Sequence, residues 1–348
     1  MVLAQIGLVR DVPYTGPRRI DLVGAGLSVV GMGGVVLGIL VWQEGGEAVG
    51  ALLAVGAVAL ALLAWWLRRR KRAGREPLLD PDLFRLPNFT AGISGQLLQQ
   101  VGLGGLMIAL PLFLRMTLGY NAMKAGLSMA PLSLTMFVVA LVAGKRAGRR
   151  RPAAIVRAGF VLASLGIAAI VVLVPRIDRG LALALPLVVV GAGFGLLVSQ
   201  LNNYTLAPIA EERVSEAAGV NSAGGNFGLS FGLAMAGGIM LATLSFSFTN
   251  LTEASDVIPP AEQARIATAL EDDAEIMSNA QLDALITDQP PEVEAAILDV
   301  NAEARDRSLQ VALLVPLVAG LIGIANSLRM VRLPDIEPSG SLEGMDFG

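Results

Sequence analysis

Residues 103–152 read LGGLMIALPLFLRMTLGYNAMKAGLSMAPLSLTMFVVALVAGKRAGRRRP. An apolar arm ends at Arg115, a short polar turn runs from Met116 to Lys124, and a second apolar arm reaches Gly144. Five cations follow immediately: Lys145, Arg146, Arg149, Arg150 and Arg151. At about 1.5 Å of rise per residue, each arm is long enough to cross a hydrocarbon layer roughly 30 Å thick. The unit is a pair of membrane-crossing helices joined by a tight hairpin, with positive charge gathered at one end. The same unit recurs along the chain, and it sets the fold class: an all-α integral membrane protein.

Apolar runs of the required length predict eight spans, at about 20–42, 48–67, 89–114, 125–144, 153–174, 180–203, 217–245 and 308–330. Composition agrees, with 54% hydrophobic and only 16% charged residues in a chain of 348, against about a quarter charged in soluble domains. Glycine is frequent inside the spans, which suits close helix packing in lipid. The chain has no cysteine and no histidine. Disulfide frameworks, thiol nucleophiles, histidine-ligated zinc and histidine-centred triads are all excluded, so no enzyme activity, metal or cofactor is expected. A net charge of −3, with cations in short clusters rather than on one face, argues against nucleic acid as a partner.

Alternating the eight spans with residue 1 on the inside places 19 of the 26 lysines and arginines in inside loops. The positive-inside rule therefore predicts a multi-pass protein of the cell membrane with both termini cytoplasmic. The expected organisation is a cytoplasmic segment (1–19), two linker spans (20–67), a basic cytoplasmic linker (68–88), five spans (89–245), an acidic extracellular loop (246–307), a last span (308–330) and a cytoplasmic tail (331–348). The long loop holds 14 of the 29 acids. It reads either as a solvated acidic cap of short amphipathic helices or as a vestibule that attracts cations.

Several stretches carry a family resemblance. Leu118-Gly119-Tyr120, Lys124-Ala125-Gly126-Leu127 and Ala130-Pro131-Leu132 resemble the signature that opens a helix in the fourteen-helix drug:proton antiporter branch of the major facilitator superfamily. Glu76-Pro77-Leu78-Leu79-Asp80 and Leu83-Phe84-Arg85 are similar to that branch's linker, and Gly219 to Gly238 to one of its later helices. The resemblance runs collinearly over about residues 18–332. It implies two linker helices followed by one six-helix transporter half, the C-terminal portion of a multidrug efflux antiporter. Such a protein exports small hydrophobic or cationic substrates against protons by alternating access across the lipid bilayer. The resemblance also implies an absent six-helix N-terminal half, without which this portion is expected to be inactive alone.

Candidate site residues follow from what the spans contain. Every Asp and Glu falls in a predicted loop or at a span end, although a proton-carrying acid at mid-bilayer would stand out as a charge inside an apolar run. The proton carrier is therefore expected from another segment. Uncharged polar groups remain. Gln96, Gln99 and Gln100 share one helical face, and Ser222, Asn226 and Ser230 form a stripe at spacing four. Gly224, Gly228, Gly232 and Ala236 form a second stripe on the opposite side, suited to close approach by another helix. Gln100 and Asn226 fall near the midplane, where transporters of this kind bind substrate. The six polar residues are read either as one wall of a substrate cavity or as interhelical hydrogen-bond partners with no ligand. Gln200, Asn202, Asn203 and Tyr204 read as an end cap or gate.

The loop with Lys145, Arg146, Arg149 and Arg150 occupies the place of the family's gating loop. Gly148 stands where the family carries an acid, so the cations remain without their charge partner. A cluster that sets topology and meets anionic headgroups is the competing reading. A non-transporting membrane scaffold, or a partner subunit of a separately encoded half, is the alternative function.

Overall fold

The structure, a computed structural model, describes residues 21–43, 48–75, 77–146, 151–177, 179–210, 213–255, 257 and 290–333. Its helices are α1 (Leu22–Gln43), α2 (Val49–Arg72), α3 (Pro87–Met116), α4 (Ala122–Lys145), α5 (Pro152–Leu173), α6 (Ala184–Leu206), α7 (Val214–Glu253), α8 (Pro291–Ala312) and α9 (Leu314–Arg332). A single-turn 3-10 helix, Pro81–Arg85, leads into α3. Among the described residues there are eight stretches long and apolar enough to cross a membrane, with α8 and α9 read as one. The chain is thus a multi-pass, all-helical membrane protein.

Local chemistry explains where the helices start and stop. Pro87, Pro152 and Pro291 occupy first helical positions, where a missing N–H costs nothing. Asn121 caps α4 by accepting the Lys124 backbone N–H at 2.9 Å. Gly119, with φ of 62°, turns the chain between α3 and α4 in a conformation that side chains disfavour. Pro316 accounts for the break at Leu313 between α8 and α9, because its ring displaces the carbonyl four residues back and it offers no N–H. Asn121→Ala is expected to cost about 1 kcal/mol, read as a lower midpoint of thermal unfolding in detergent.

Helix α3 is the central rod, packed against α6, α7 and α9; α4 packs on α6, and α5 lies between α6 and α9. The core between them includes Leu106, Leu110, Phe113, Phe160, Ile167, Leu187, Val190 and Phe194. Close approach rests on small residues, as the glycine stripes suggest. A Cβ at Gly195 of α6 would lie 2.6 Å from the Met136 carbonyl oxygen of α4, and one at Gly159 of α5 would lie 2.9 Å from the Gly193 carbonyl oxygen of α6. Helices α1 and α2 pack on each other at Gly34 and Gly56, and α1 leans on α7. The outer faces of both are exposed, with Val29, Leu37, Val55 and Trp65 among them.

The stretch expected as a loop over 246–307 is helical at both edges. Helix α7 continues to Glu253, and α8 begins at Pro291. With 40 residues, α7 is about 60 Å long, twice the hydrocarbon thickness, so its far end stands clear of the bilayer. It is held there by α8, through Leu244 and Phe248 packed against Val293, Ile297, Val300 and Ala304. The charges of α8 hide this pairing from a reading based on uninterrupted apolar runs. Of the short helices expected in this loop, those at 261–271 and 278–286 lie outside the described residues, and the one at 292–305 falls within α8.

Candidate functional site

The candidate site starts from the contact between α3 and α7. A Cβ at Gly228 would lie 2.6 Å from the Leu97 carbonyl oxygen, and Gly232 abuts Val101 more closely still. Glycine at these positions brings the two backbones together, and the amides of α3 lie along the seam. The Gln96 Nε2 is 3.3 Å from the place a Cβ would take at Gly225, and the Gln100 Cβ is 3.3 Å from that at Gly228. Gln99 is only 3% exposed. One turn to either side of it, Gly95 and Gly102 abut Leu201 and Phe194 of α6.

The carbonyl oxygens Oε1 of Gln99 and Gln100 are buried with no hydrogen-bond donor among the described residues. A buried acceptor left unpaired costs about 1–3 kcal/mol, and such groups are uncommon in folded proteins. The two lie on successive residues of the central helix, Gln100 at the α7 seam and Gln99 on the side toward α6.

The second set behaves differently. Ser222, Asn226 and Ser230 are exposed, away from the glycine face, and no hydrogen bond joins them to the glutamines. Ser230 lines a cavity of about 520 Å³ with Val36 and Leu40 of α1 and Ile108, Leu112 and Met116 of α3. The structure therefore brings Gln96 and Gln100 to one seam and leaves the serine–asparagine stripe open beside it.

A neighbouring polar pair joins Asn202, read above as part of an end cap or gate, to Asn221, which is not among the candidates. Asn221 of α7, 5% exposed, donates its Nδ2 to the Asn202 Oδ1 of α6 at 3.0 Å, while its own Oδ1 has no donor among the described residues. Its place beside Ser222, one residue off the stripe, was the available signal. Gln200 donates to the Ala143 carbonyl of α4 at 3.4 Å, tying α4 to α6 rather than capping its own helix.

Of the gating-loop candidates, Lys145 ends α4 and Arg146 follows it; both are exposed. Neither pairs with an acid among the described residues, and Arg146 lines a cavity of about 590 Å³ between α4, α5 and α6. Arg149 and Arg150 lie outside the described residues.

The dense charge chemistry at this end lies elsewhere. Asp21, ahead of α1, accepts from the Gly24 backbone N–H at 3.0 Å, Trp66 Nε1 at 3.1 Å, the Leu78 N–H at 3.2 Å and Arg70 at 3.2 Å. Burial alone would raise its pKa, but those hydrogen bonds and the Arg70 charge outweigh it and hold the carboxyl below its ordinary value. Asp80 pairs with Lys71 and, at 3.0 Å, with Arg213, and its backbone N–H donates to Glu216. Burial opposes ionisation there too, and is overcome chiefly by the hydrogen bond from Lys71. These contacts bind α2 and the linker to the start of α7. Among the described residues of α1 to α7 and α9, no carboxylate occupies a mid-helix position: Glu216 and Glu253 lie at the ends of α7, Asp82 in the 3-10 turn; mid-helix acids, Asp299, Glu303 and Asp306, occur in α8.

Residues 17–233 match the profile of the Major Facilitator Superfamily. Similar proteins include a "Probable actinorhodin transporter" of Streptomyces coelicolor, 27% identical over 72% of this chain and 43% of its own length. "Uncharacterized transporter YebQ" of Escherichia coli is 26% identical over 67% of this chain and 51% of its own. "Multidrug resistance protein Stp" of Mycobacterium tuberculosis is 28% identical over 66% of this chain and 42% of its own. The chain spans about half the length of the curated relatives it matches.

Proposed function

The chain belongs to the Major Facilitator Superfamily, and from that premise we propose that it serves a drug efflux transporter as one six-helix half with two linker helices. Its substrates are drugs, as in the name of the "Multidrug resistance protein Stp" relative; we take them to be small hydrophobic or cationic compounds, moved by alternating access. The half that would face it, together with the carboxylate that carries the proton, is supplied by other polypeptide sequence. The basic end of the bundle faces the cytoplasm of a cell membrane, by the positive-inside rule.

One observation carries the reading. The amide face of α3, with the unpaired carbonyls of Gln99 and Gln100, lies between α7 and α6 at the centre of the bundle. Gln96, Gln99 and Gln100 form the inner part of a substrate wall, and Ser222, Asn226 and Ser230 its outer part. In a transporter of full relative length, Gln100→Leu and Asn226→Leu are expected to reduce efflux at least tenfold with membrane insertion intact. Unchanged efflux at normal expression would remove both residues from the site.

The competing reading, a scaffold or partner subunit without transport, is supported by the absence of a mid-helix acid from the described residues of α1 to α7 and α9. Co-expression with a separately encoded six-helix half separates the two: restored export supports the subunit, and no change on deleting this chain supports the scaffold.

A further inference from the structure

The seam between α3 and α9 carries a feature that the transport reading does not use. At its basic end, Thr90 and Ser94 of α3, Asn326, Arg329 and Arg332 of α9 and Arg85 of the 3-10 turn line a cavity of about 530 Å³. No carboxylate is in that lining. Arg85 is already paired with Asp82 at 3.1 Å, but Arg329 and Arg332 are exposed and make no ion pair among the described residues. The neighbouring basic cavity, at Arg68, Lys71 and Arg72, includes Asp82 in its wall and is partly neutralised by it.

One turn further along the same two helices the chemistry changes completely. From Ser94 to Leu98 on α3, and from Asn326 to Ile322 on α9, the seam opens into a groove of about 500 Å³ whose walls are apolar throughout, with Phe227 and Phe231 of α7 and Val318 of α9. Leu314, Val318 and Ile322 are exposed, so the groove opens sideways toward the space that lipid fills. Arginines at the end of α9 would be expected from helix polarity and topology alone. Neither accounts for an acid-free cavity stacked directly on an acyl-sized apolar groove.

We propose that this seam holds one phospholipid with an anionic headgroup, from the leaflet at the basic end of the bundle. Arg329 and Arg332 bind the headgroup, and an acyl chain lies in the groove. Basic pockets between membrane helices on the cytoplasmic side recognise acidic headgroups in this way. A zwitterionic lipid brings its own cation to the arginines and binds more weakly. The proposal needs neither transport nor the assigned orientation, because it concerns what the folded chain retains.

The test uses the purified chain in detergent, with phosphatidylglycerol and phosphatidylcholine of identical acyl chains, and native mass spectrometry to count retained lipid. The wild-type chain is expected to retain one phosphatidylglycerol preferentially. Arg329→Gln with Arg332→Gln should cut that preference about 30-fold, the effect of two arginine contacts with acidic lipid. Arg68→Gln with Arg72→Gln should leave it unchanged. Val318→Trp, which fills the groove and spares both arginines, should lower retention as well, and inorganic phosphate should not displace the lipid. Equal retention of the two lipids by the wild-type chain, or an unaltered preference in the Arg329/Arg332 variant, overturns the site. Displacement by inorganic phosphate reduces it to a simple anion site and overturns the lipid assignment.

Discussion

Replacing Gly228 with valine is expected to separate α3 from α7 and to give a chain that elutes as aggregate, with a thermal midpoint far below wild type. The added Cβ would sit 2.6 Å from the Leu97 carbonyl oxygen, a backbone atom with no rotamer to retreat into. Overpacking of this kind costs about 1–3 kcal/mol and sometimes more, and here it falls on the central rod of the bundle. Gly126, which has nothing within 4 Å of its Cβ position, is the matched control, and Gly126→Val should leave the unfolding free energy within about 0.5 kcal/mol of wild type. Equal effects at the two positions would show that helix propensity, and not the seam, governs stability.

Asp21→Ala should be the most damaging single loss of a side chain at the basic end, at about 1–3 kcal/mol. Its carboxylate side chain is 2% exposed and satisfies Trp66, Arg70 and two backbone N–H groups. Truncation deprives Trp66 and the two backbone N–H groups of this acceptor and removes the Asp21 ion pair from the part-exposed Arg70. The pH dependence has a definite sign. Because the folded-state pKa of Asp21 is held below its ordinary value, its contribution is fully present above the unfolded value of about 3.9. It is lost as pH falls through the lower folded value. Wild-type unfolding should be insensitive to this group from pH 7 to about 4 and weaken below that, whereas Asp21→Ala should show a flatter acid limb. A wild-type acid limb in the variant would assign the loss to other carboxylates, Asp80 first among them, since it too is held low.

The two charge clusters show why part of the site was not legible beforehand. Asp80 meets Arg213 and Glu216 across more than 130 positions of sequence, and Asp21 meets Trp66, Arg70 and Leu78 across 45 to 57. Nothing in local spacing distinguishes these acids from ordinary loop residues. The glycine stripe of α7 was legible because small residues at every fourth position have one obvious use in lipid. The glutamines of α3 were legible as a face, but not as a face divided between α7 and α6. The outer part of α7 was hidden for a different reason. Residues 246–253 and α8 are too polar to read as membrane-crossing, and their helicity rests on the pairing of Leu244 and Phe248 with Val293, Ile297 and Val300.

What the sequence determined by itself was the set of eight apolar stretches long enough to cross a membrane and the clusters in which the cations collect. Hydrocarbon admits only long apolar helices and sorts charge by side, and both demands are written in runs of consecutive residues. The tertiary structure alone decided which amides are left without donors, which acids are neutralised and where α3 and α9 open a basic cavity over an apolar groove. Those outcomes depend on which distant backbone atoms come within about 3 Å, a quantity set by the packing of whole helices and not by any one of them.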